Sequence, residues 1–340
     1  MSEVLLRVDG LKVHFGLRKR SLFAAPQTVR AVDGVSFSVR HGSTFGIVGE
    51  SGSGKTTTAL AIMKLVDITA GQVDLAGEVF SALQGEQLRT ARRRMQIIFQ
   101  DPYSSLNPRM RAGAIVKEPM QRMAIGTDAE RDERVRSLFE QVGLRADQAQ
   151  LFPHQFSGGQ RQRIGIARAL ATKPELVVCD EPVSALDVAI QAQILNLLGS
   201  LQKQFGLTYL FISHDLGVVQ YLCDEVAVMY LGRIVEYSTR EALFENPLHP
   251  YTWALLSAVP RMGRRRKGGE EGRSSRLRLE GDPPSPISPP PGCRFSARCP
   301  FAEERCRAEE PALREIRPGQ RVACHLVRDD GAVPHRPAVL

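Results

Sequence analysis

Nothing in this 340-residue chain approaches the run of about 20 apolar residues that a bilayer-spanning helix needs. Met1-Ser2-Glu3 opens no secretory signal, so the expected location is the cytosol. No internal repeat divides the chain, and its length suits one large domain with an appendage. No two cysteines form a C-x2-C pair, which excludes a zinc ribbon. An excess of basic over acidic charge is also scarce over most of the sequence. The formal net charge is +8, but residues 261–278 (RMGRRRKGGEEGRSSRLR) hold +6 of it and leave +2 for everything else. That distribution argues against a nucleic-acid-binding surface. The basic stretch reads as a solvated Gly/Ser/Arg linker over 259–281, with contact to anionic lipid headgroups as the alternative.

What is present is a phosphate-binding loop. Gly49-Glu50-Ser51-Gly52-Ser53-Gly54-Lys55-Thr56 fits G-x-x-x-x-G-K-S/T and continues into Thr57. The apolar run Thr44–Val48 precedes it and a helical composition follows through Leu65, the strand–loop–helix context the motif requires. Its glycines let backbone N–H groups turn inward on an anion, and the helix start adds its positive dipole end. Lys55 is expected to reach the β- and γ-phosphates of a nucleotide and Thr56 to place its hydroxyl on Mg²⁺.

Further chemistry follows in order. Leu176–Cys179 is a buried-strand pattern ending in Asp180-Glu181, 125 residues after Lys55. Asp180 would hold Mg²⁺, and Glu181 would orient and deprotonate an attacking water. Gln100 ends the run Ile97-Ile98-Phe99, where it could ligate Mg²⁺ and sense the γ-phosphate. His214 follows the strand Tyr209–Ile212 and could contact the same phosphate. Ser157-Gly158-Gly159-Gln160, 102 residues after Lys55, offers a hydroxyl and bare amides at a helix start, a second anion site.

With these residues in place the sequence resembles the nucleotide-binding subunits of ABC transporters over roughly residues 3–255. The resemblance implies that Ser157–Gln160 is the signature that faces ATP held by an opposite subunit. It implies that Ser184-Ala185-Leu186-Asp187 crosses to that partner, with Asp187 at the nucleotide, and that His214 is the switch histidine. Phe15 stands where the family stacks an aromatic on adenine, though it reads equally as a core aromatic. No chemical position departs from the family pattern, so the subunit is expected to hydrolyse ATP. The implied fold is α/β: a P-loop NTPase core of ABC type with a β-subdomain and a helical signature subdomain over about 108–172, together spanning 1–258, plus a small irregular cysteine-containing extension over 282–340. Alternation at 3–13 and 30–40 fits half-buried strands; 175–179, 208–212 and 225–230 fit buried ones, with a helix near 188–204. Leu17–Thr28 is a basic insertion. The spacing of 102 residues leaves no room for the coiled coil of chromosome ATPases, and one ATPase domain differs from the two of ribosome-acting relatives.

Gln96–Pro108, Phe152–Phe156, His249–Leu256 and Pro283-Pro284-Ser285-Pro286 resemble the oligopeptide and dipeptide uptake branch rather than an exporter. The insertion near 17–28 resembles its second ("F-type") ATPase, which pairs with a related sister. The resemblance therefore implies a second ATPase subunit, two transmembrane permease subunits, an extracytoplasmic substrate-binding protein, and residence on the cytoplasmic face of the membrane. Cargo is expected to be peptide; nickel, a sugar conjugate or another small solute is the alternative. Cys293, Cys299, Cys306 and Cys324 follow C-x5-C-x6-C-x17-C in a tail poor in large apolar residues, where a metal staple is expected. Iron–sulfur, zinc and free thiols all remain open from the residues; the resemblance favours a structural 4Fe–4S cluster. Cys179 and Cys223 read as buried small apolar residues.

Overall fold

The computed structural model describes residues 3–17, 27–258, 279 and 281–333. The basic stretch 261–278 and most of the 17–28 insertion lie outside them.

The chain opens with two long strands, β1 (Val4–Gly16) and β2 (Thr28–Arg40). Their apolar residues alternate, so Leu6, Val8, Leu11, Val13, Val32, Val35, Phe37 and Val39 are buried on one side. β3 (Thr44–Val48) then enters the centre of the molecule with all five residues buried, and α1 (Lys55–Ile62) leaves it through the phosphate loop. β4 (Ala70–Leu75) pairs antiparallel with β1, giving a three-stranded sheet in the order β2-β1-β4. A short helix α2 (Gly85–Ala91) leads to β5 (Met95–Ile98).

Three helices form the lobe expected between 108 and 172: α3 (Ala112–Arg122), α4 (Asp128–Gln141) and α5 (Gly158–Leu170). Thr127 begins α4 through a capping box with Glu130, and Ile115, Val116, Leu138, Phe139, Ile164 and Ala167 bury the inner faces.

The remaining strands return to the core. β6 (Leu176–Asp180) and β7 (Thr208–Ser213) are fully buried runs, joined by α6 (Val188–Phe205). α7 (Leu216–Leu222) leads to β8 (Glu225–Tyr230), which turns into β9 (Arg233–Thr239), then α8 (Arg240–Glu245) and α9 (Pro250–Ala258). β8, β3, β7, β6 and β5 run parallel in that order. A parallel sheet covered on both faces needs continuous apolar strands, which is why these read as short unbroken hydrophobic runs.

The C-terminal segment is more ordered than its composition suggests. After the short helix α10 (Glu304–Ala308), the strands β10 (Arg314–Arg317) and β11 (Gln320–Val322) form a hairpin whose second strand pairs with β9 through Arg321–Tyr237 and Val322–Glu236. The tail thus extends the central sheet to eight strands among the described residues. Phe295 anchors it: the ring is 1% exposed and packs 5.3 Å from Tyr230 and 5.4 Å from Tyr251. Burial of one such ring contributes about 1.5–3 kcal/mol.

Candidate functional site

In an open parallel sheet, ligands bind beyond the carboxyl ends of the strands. Four strands here deliver their next residues to one place. β3 runs into the phosphate loop, β5 into Gln100, β6 into Asp180-Glu181 and β7 into His214. Gln100, Glu181 and His214 line a cavity of about 640 Å³ together with Gly49, Lys55, Thr56 and Thr57 of the loop.

The loop's shape follows from its glycines. Gly54 has φ of +102°, and a Cβ there would sit 2.2 Å from the Ala31 carbonyl oxygen. Only glycine permits that conformation and that approach. Lys55 is 4% exposed and donates to the Gly49 carbonyl at 2.8 Å and the Glu50 carbonyl at 2.9 Å. Burial holds its pKa below the ordinary lysine value, against the pull of Glu181, Asp180 and Glu50. Its ammonium is thus stretched across the loop mouth, held by two carbonyls that a phosphate could replace. The Ser53 hydroxyl oxygen is buried in the same loop with no hydrogen-bond partner among the described residues, a further group that suits an anion.

A carboxylate and a hydroxyl meet beside the loop. Thr56 Oγ1 donates to Asp180 Oδ1 at 3.0 Å. Burial, with Glu181 alongside, holds the Asp180 carboxyl above its ordinary range despite the Thr56 bond and Lys55. Two hard oxygen donors at that separation, with Gln100 on the same wall, fit Mg²⁺.

Glu181 is held from both sides: Gln100 Nε2 donates to its Oε2 at 3.1 Å, and His214 Nδ1 lies 2.9 Å from the same oxygen. Its backbone is in the left-handed region at φ of +46°, fixed by the bond from its N–H to the Ile212 carbonyl. For a residue with a Cβ that conformation costs about 1–2 kcal/mol, and it aims the side chain into the cavity rather than along the strand.

The remaining expected residues sit elsewhere. Ser157 caps α5: its hydroxyl accepts from Gln160 N–H at 3.3 Å, and the Gln160 side chain accepts from Ser157 N–H at 3.0 Å. Gly159 packs on α6, where a Cβ would meet Ile190 Cγ2 at 2.6 Å. Asp187 caps α6 by accepting from Ile190 N–H at 3.0 Å. Signature and crossing loop are therefore neighbours of each other, away from the lining of the chain's own phosphate cavity. Phe15 is 42% exposed and lies in register with Val29, which lines that cavity, although Phe15 itself does not. It is therefore a surface ring rather than a core one.

The family models agree with this arrangement. One described as ABC transporter matches residues 32–184, and one described as oligopeptide/dipeptide transporter, C-terminal region, matches residues 235–306. A putative peptide import ATP-binding protein of Brucella ovis is 51% identical over 96% of this chain and 98% of its own length. The chain belongs to the ATP-binding proteins of the ABC transporter family. The oligopeptide transport ATP-binding protein AppF of Bacillus subtilis is 50% identical over 95% of this chain and 98% of its own. Among solved structures, the dimeric cassette MJ0796 bound to ADP and Pi is 26% identical, with a TM-score of 0.62 over 69% of this chain and 99% of that one. Membership makes the chain an ATP-hydrolysing ABC subunit with an α/β cassette, as the motifs implied. No helix among the described residues is long and apolar enough to cross a membrane.

Three contacts at the site were not anticipated from sequence. Glu50 of the phosphate loop pairs with Arg298 of the tail, its N–H donates to Tyr251 Oη at 2.8 Å, and Pro286 both lines the cavity and accepts from Arg30 N–H at 3.0 Å. Nothing in composition or spacing pairs these residues in advance.

The four tail cysteines form no disulfide and influence one another's thiols. Cys324 is pushed up to about 12 and Cys299 to about 11, by burial first and then by their cysteine neighbours, Cys293 and Cys306 among them. No group of three or more His, Cys, Asp or Glu among the described residues is arranged to hold a metal ion.

Proposed function

We propose that this chain powers peptide import by closing, ATP-bound, against a sister ATPase beneath two membrane-spanning permease subunits. The observation that carries the reading is the split site. Glu181, Gln100 and His214 converge over the phosphate loop, while Ser157–Gln160 and Asp187 face away, so one chain supplies two halves of two different sites. Peptide as cargo is supported by the names of the relatives at about half identity and by the match over 235–306. The pairing with a non-identical F-type sister, the peripheral position on the cytoplasmic face, the extracytoplasmic binding protein, and the division into 1–258, a linker 259–281 and an extension 282–340 belong to the same proposal.

The residues divide the work. Lys55 and the loop amides would hold the β- and γ-phosphates, and Thr56, Asp180 and Gln100 would hold Mg²⁺, which would supply charge neutralisation to the phosphates. Glu181 accepts the proton of the attacking water, oriented by His214 and Gln100 through its Oε2. Ser157 and the Gly158 and Gly159 amides close over the nucleotide of the opposite subunit, and Asp187 joins them. Phe15 stacks on adenine from the pocket rim.

The finer cofactor reading is that Cys293, Cys299, Cys306 and Cys324 hold a structural 4Fe–4S cluster, with Zn²⁺ as the alternative. What supports it is the C-x5-C-x6-C-x17-C spacing of the sequence. Iron, sulfide and zinc analysis of anaerobically purified protein decides it; a metal-free tail that keeps its fold contradicts it. For the transport reading, uptake of labelled di- to oligopeptides into vesicles carrying the assembled complex is expected to require ATP. Uptake of nickel but not peptide would reassign the cargo.

A further inference from the structure

We infer that Arg298 is a positioning residue for ATP binding, acting through Glu50 by neutralising and fixing the one acid inside the phosphate loop. The inference rests on the assignment of that loop to ATP.

Glu50 is an awkward residue for an anion site. Its carboxylate stands in a loop whose purpose is to concentrate positive charge, and a unit charge a few ångströms from a phosphate repels it by an amount on the order of a tenfold loss in affinity or more at protein-surface dielectric. The structure offsets this from far along the chain. Arg298 Nη1 lies 2.6 Å from Glu50 Oε2 and Nη2 lies 3.2 Å from Oε1, a fork-on-fork pair. The Arg298 side chain is only 8% exposed, against 30% for Glu50, so solvent screens the pair weakly.

The pair also fixes the loop backbone. The Glu50 carbonyl accepts from Lys55 Nζ at 2.9 Å and from Ser53 N–H at 3.2 Å, while its N–H is tied to Tyr251. Any swing of Glu50 therefore moves an acceptor of the phosphate-binding lysine. Arg298 in turn is placed by the tail: its N–H donates to the Phe295 carbonyl at 3.0 Å, and its guanidinium lies 5.9 Å from the Tyr230 ring centre. A second arginine of the same turn, Arg294, pairs with Asp33 and donates to the Leu231 carbonyl at 3.0 Å, locking the turn against the pocket wall. The tail is thus part of the nucleotide site's electrostatics.

The test is equilibrium binding of a fluorescent ATP analogue to the full chain with Mg²⁺, comparing wild type, Arg298→Ala, Glu50→Gln and the double variant. Arg298→Ala is expected to weaken binding on the order of tenfold, and adding Glu50→Gln is expected to restore most of it, because the acid is gone. A merely structural arginine gives no such rescue. Glu50→Gln alone is expected to bind at least as tightly as wild type, a result readable even if Arg298→Ala does not fold. Normal binding by Arg298→Ala, loss without rescue in the double variant, or tenfold weaker binding by Glu50→Gln overturns the inference. A wild-type chain that binds no ATP overturns the site assignment and this inference together.

Discussion

His214 Nδ1 lies 2.9 Å from Glu181 Oε2, and Gln100 donates to that same oxygen at 3.1 Å, so residues after three different strands meet on one carboxylate. In the proposed mechanism hydrolysis is controlled at that junction. Glu181→Gln removes the proposed proton acceptor but keeps the shape, so ATP binding is expected to persist while turnover falls about 10²-fold or more. The closed, ATP-bound pair of subunits should also live longer, visible as an ATP-dependent larger species in gel filtration. Normal turnover by Glu181→Gln would contradict the base assignment.

His214→Ala should lower kcat more than it alters ATP affinity. The histidine is half-exposed and touches Glu181 rather than the loop. Single-turnover kinetics separate the two effects; an equal loss of binding would place His214 on the ground-state nucleotide instead.

Asp180→Asn should raise the Mg²⁺ concentration needed for half-maximal turnover about tenfold or more, since Thr56 and Asp180 are the paired oxygen donors beside the loop. A Mg²⁺ titration of the ATPase rate checks this, with an unchanged midpoint as the opposing result.

Two buried groups under the tail should balance one another against pH. Burial pushes His249 down to about 3, while the Leu248 and His249 amides and the Thr252 hydroxyl donate to Glu236, whose burial raises it to about 7. Unfolded, His249 titrates near 6.5 and Glu236 near 4.5. A depressed histidine costs stability as pH falls below 6.5, whereas a raised carboxyl costs stability as pH rises through 4.5 to 7. Between pH 4.5 and 6.5 these two contributions oppose. His249→Gln should leave a protein that gains stability on acidification, and Glu236→Gln one that loses it, each with a slope approaching about 1.4 kcal/mol per pH unit. Urea unfolding followed by fluorescence of Trp253, the single tryptophan, reads both. Two variants with slopes of the same sign would contradict this pairing.

The sequence showed the site wherever the chemistry is local. The phosphate loop, Gln100, Asp180-Glu181 and His214 each end a recognisable apolar strand, and the parallel sheet then brings them together without further instruction. The signature reads from sequence as an anion site, and nothing in its residues announces what the structure shows: Ser157 and Gln160 cap their own helix, and Gly159 is required by Ile190 on α6. The tail was the least legible. Val322 pairs with Glu236 in a strand of three residues, too short to carry a period, and Arg298 meets Glu50 across 248 residues of sequence. Contacts of that kind depend on tertiary placement and leave no mark in composition or spacing.

The most direct test of peptide-stimulated hydrolysis is the ATPase rate of this chain assembled with the proposed permease subunits and sister ATPase. A substrate-binding protein would be supplied empty or loaded with di- to oligopeptides. The account predicts that peptide-loaded binding protein raises the rate above the empty form, and that Glu181→Gln abolishes the rise. Equal rates with loaded and empty binding protein, or a chain that joins no membrane subunit, would contradict it.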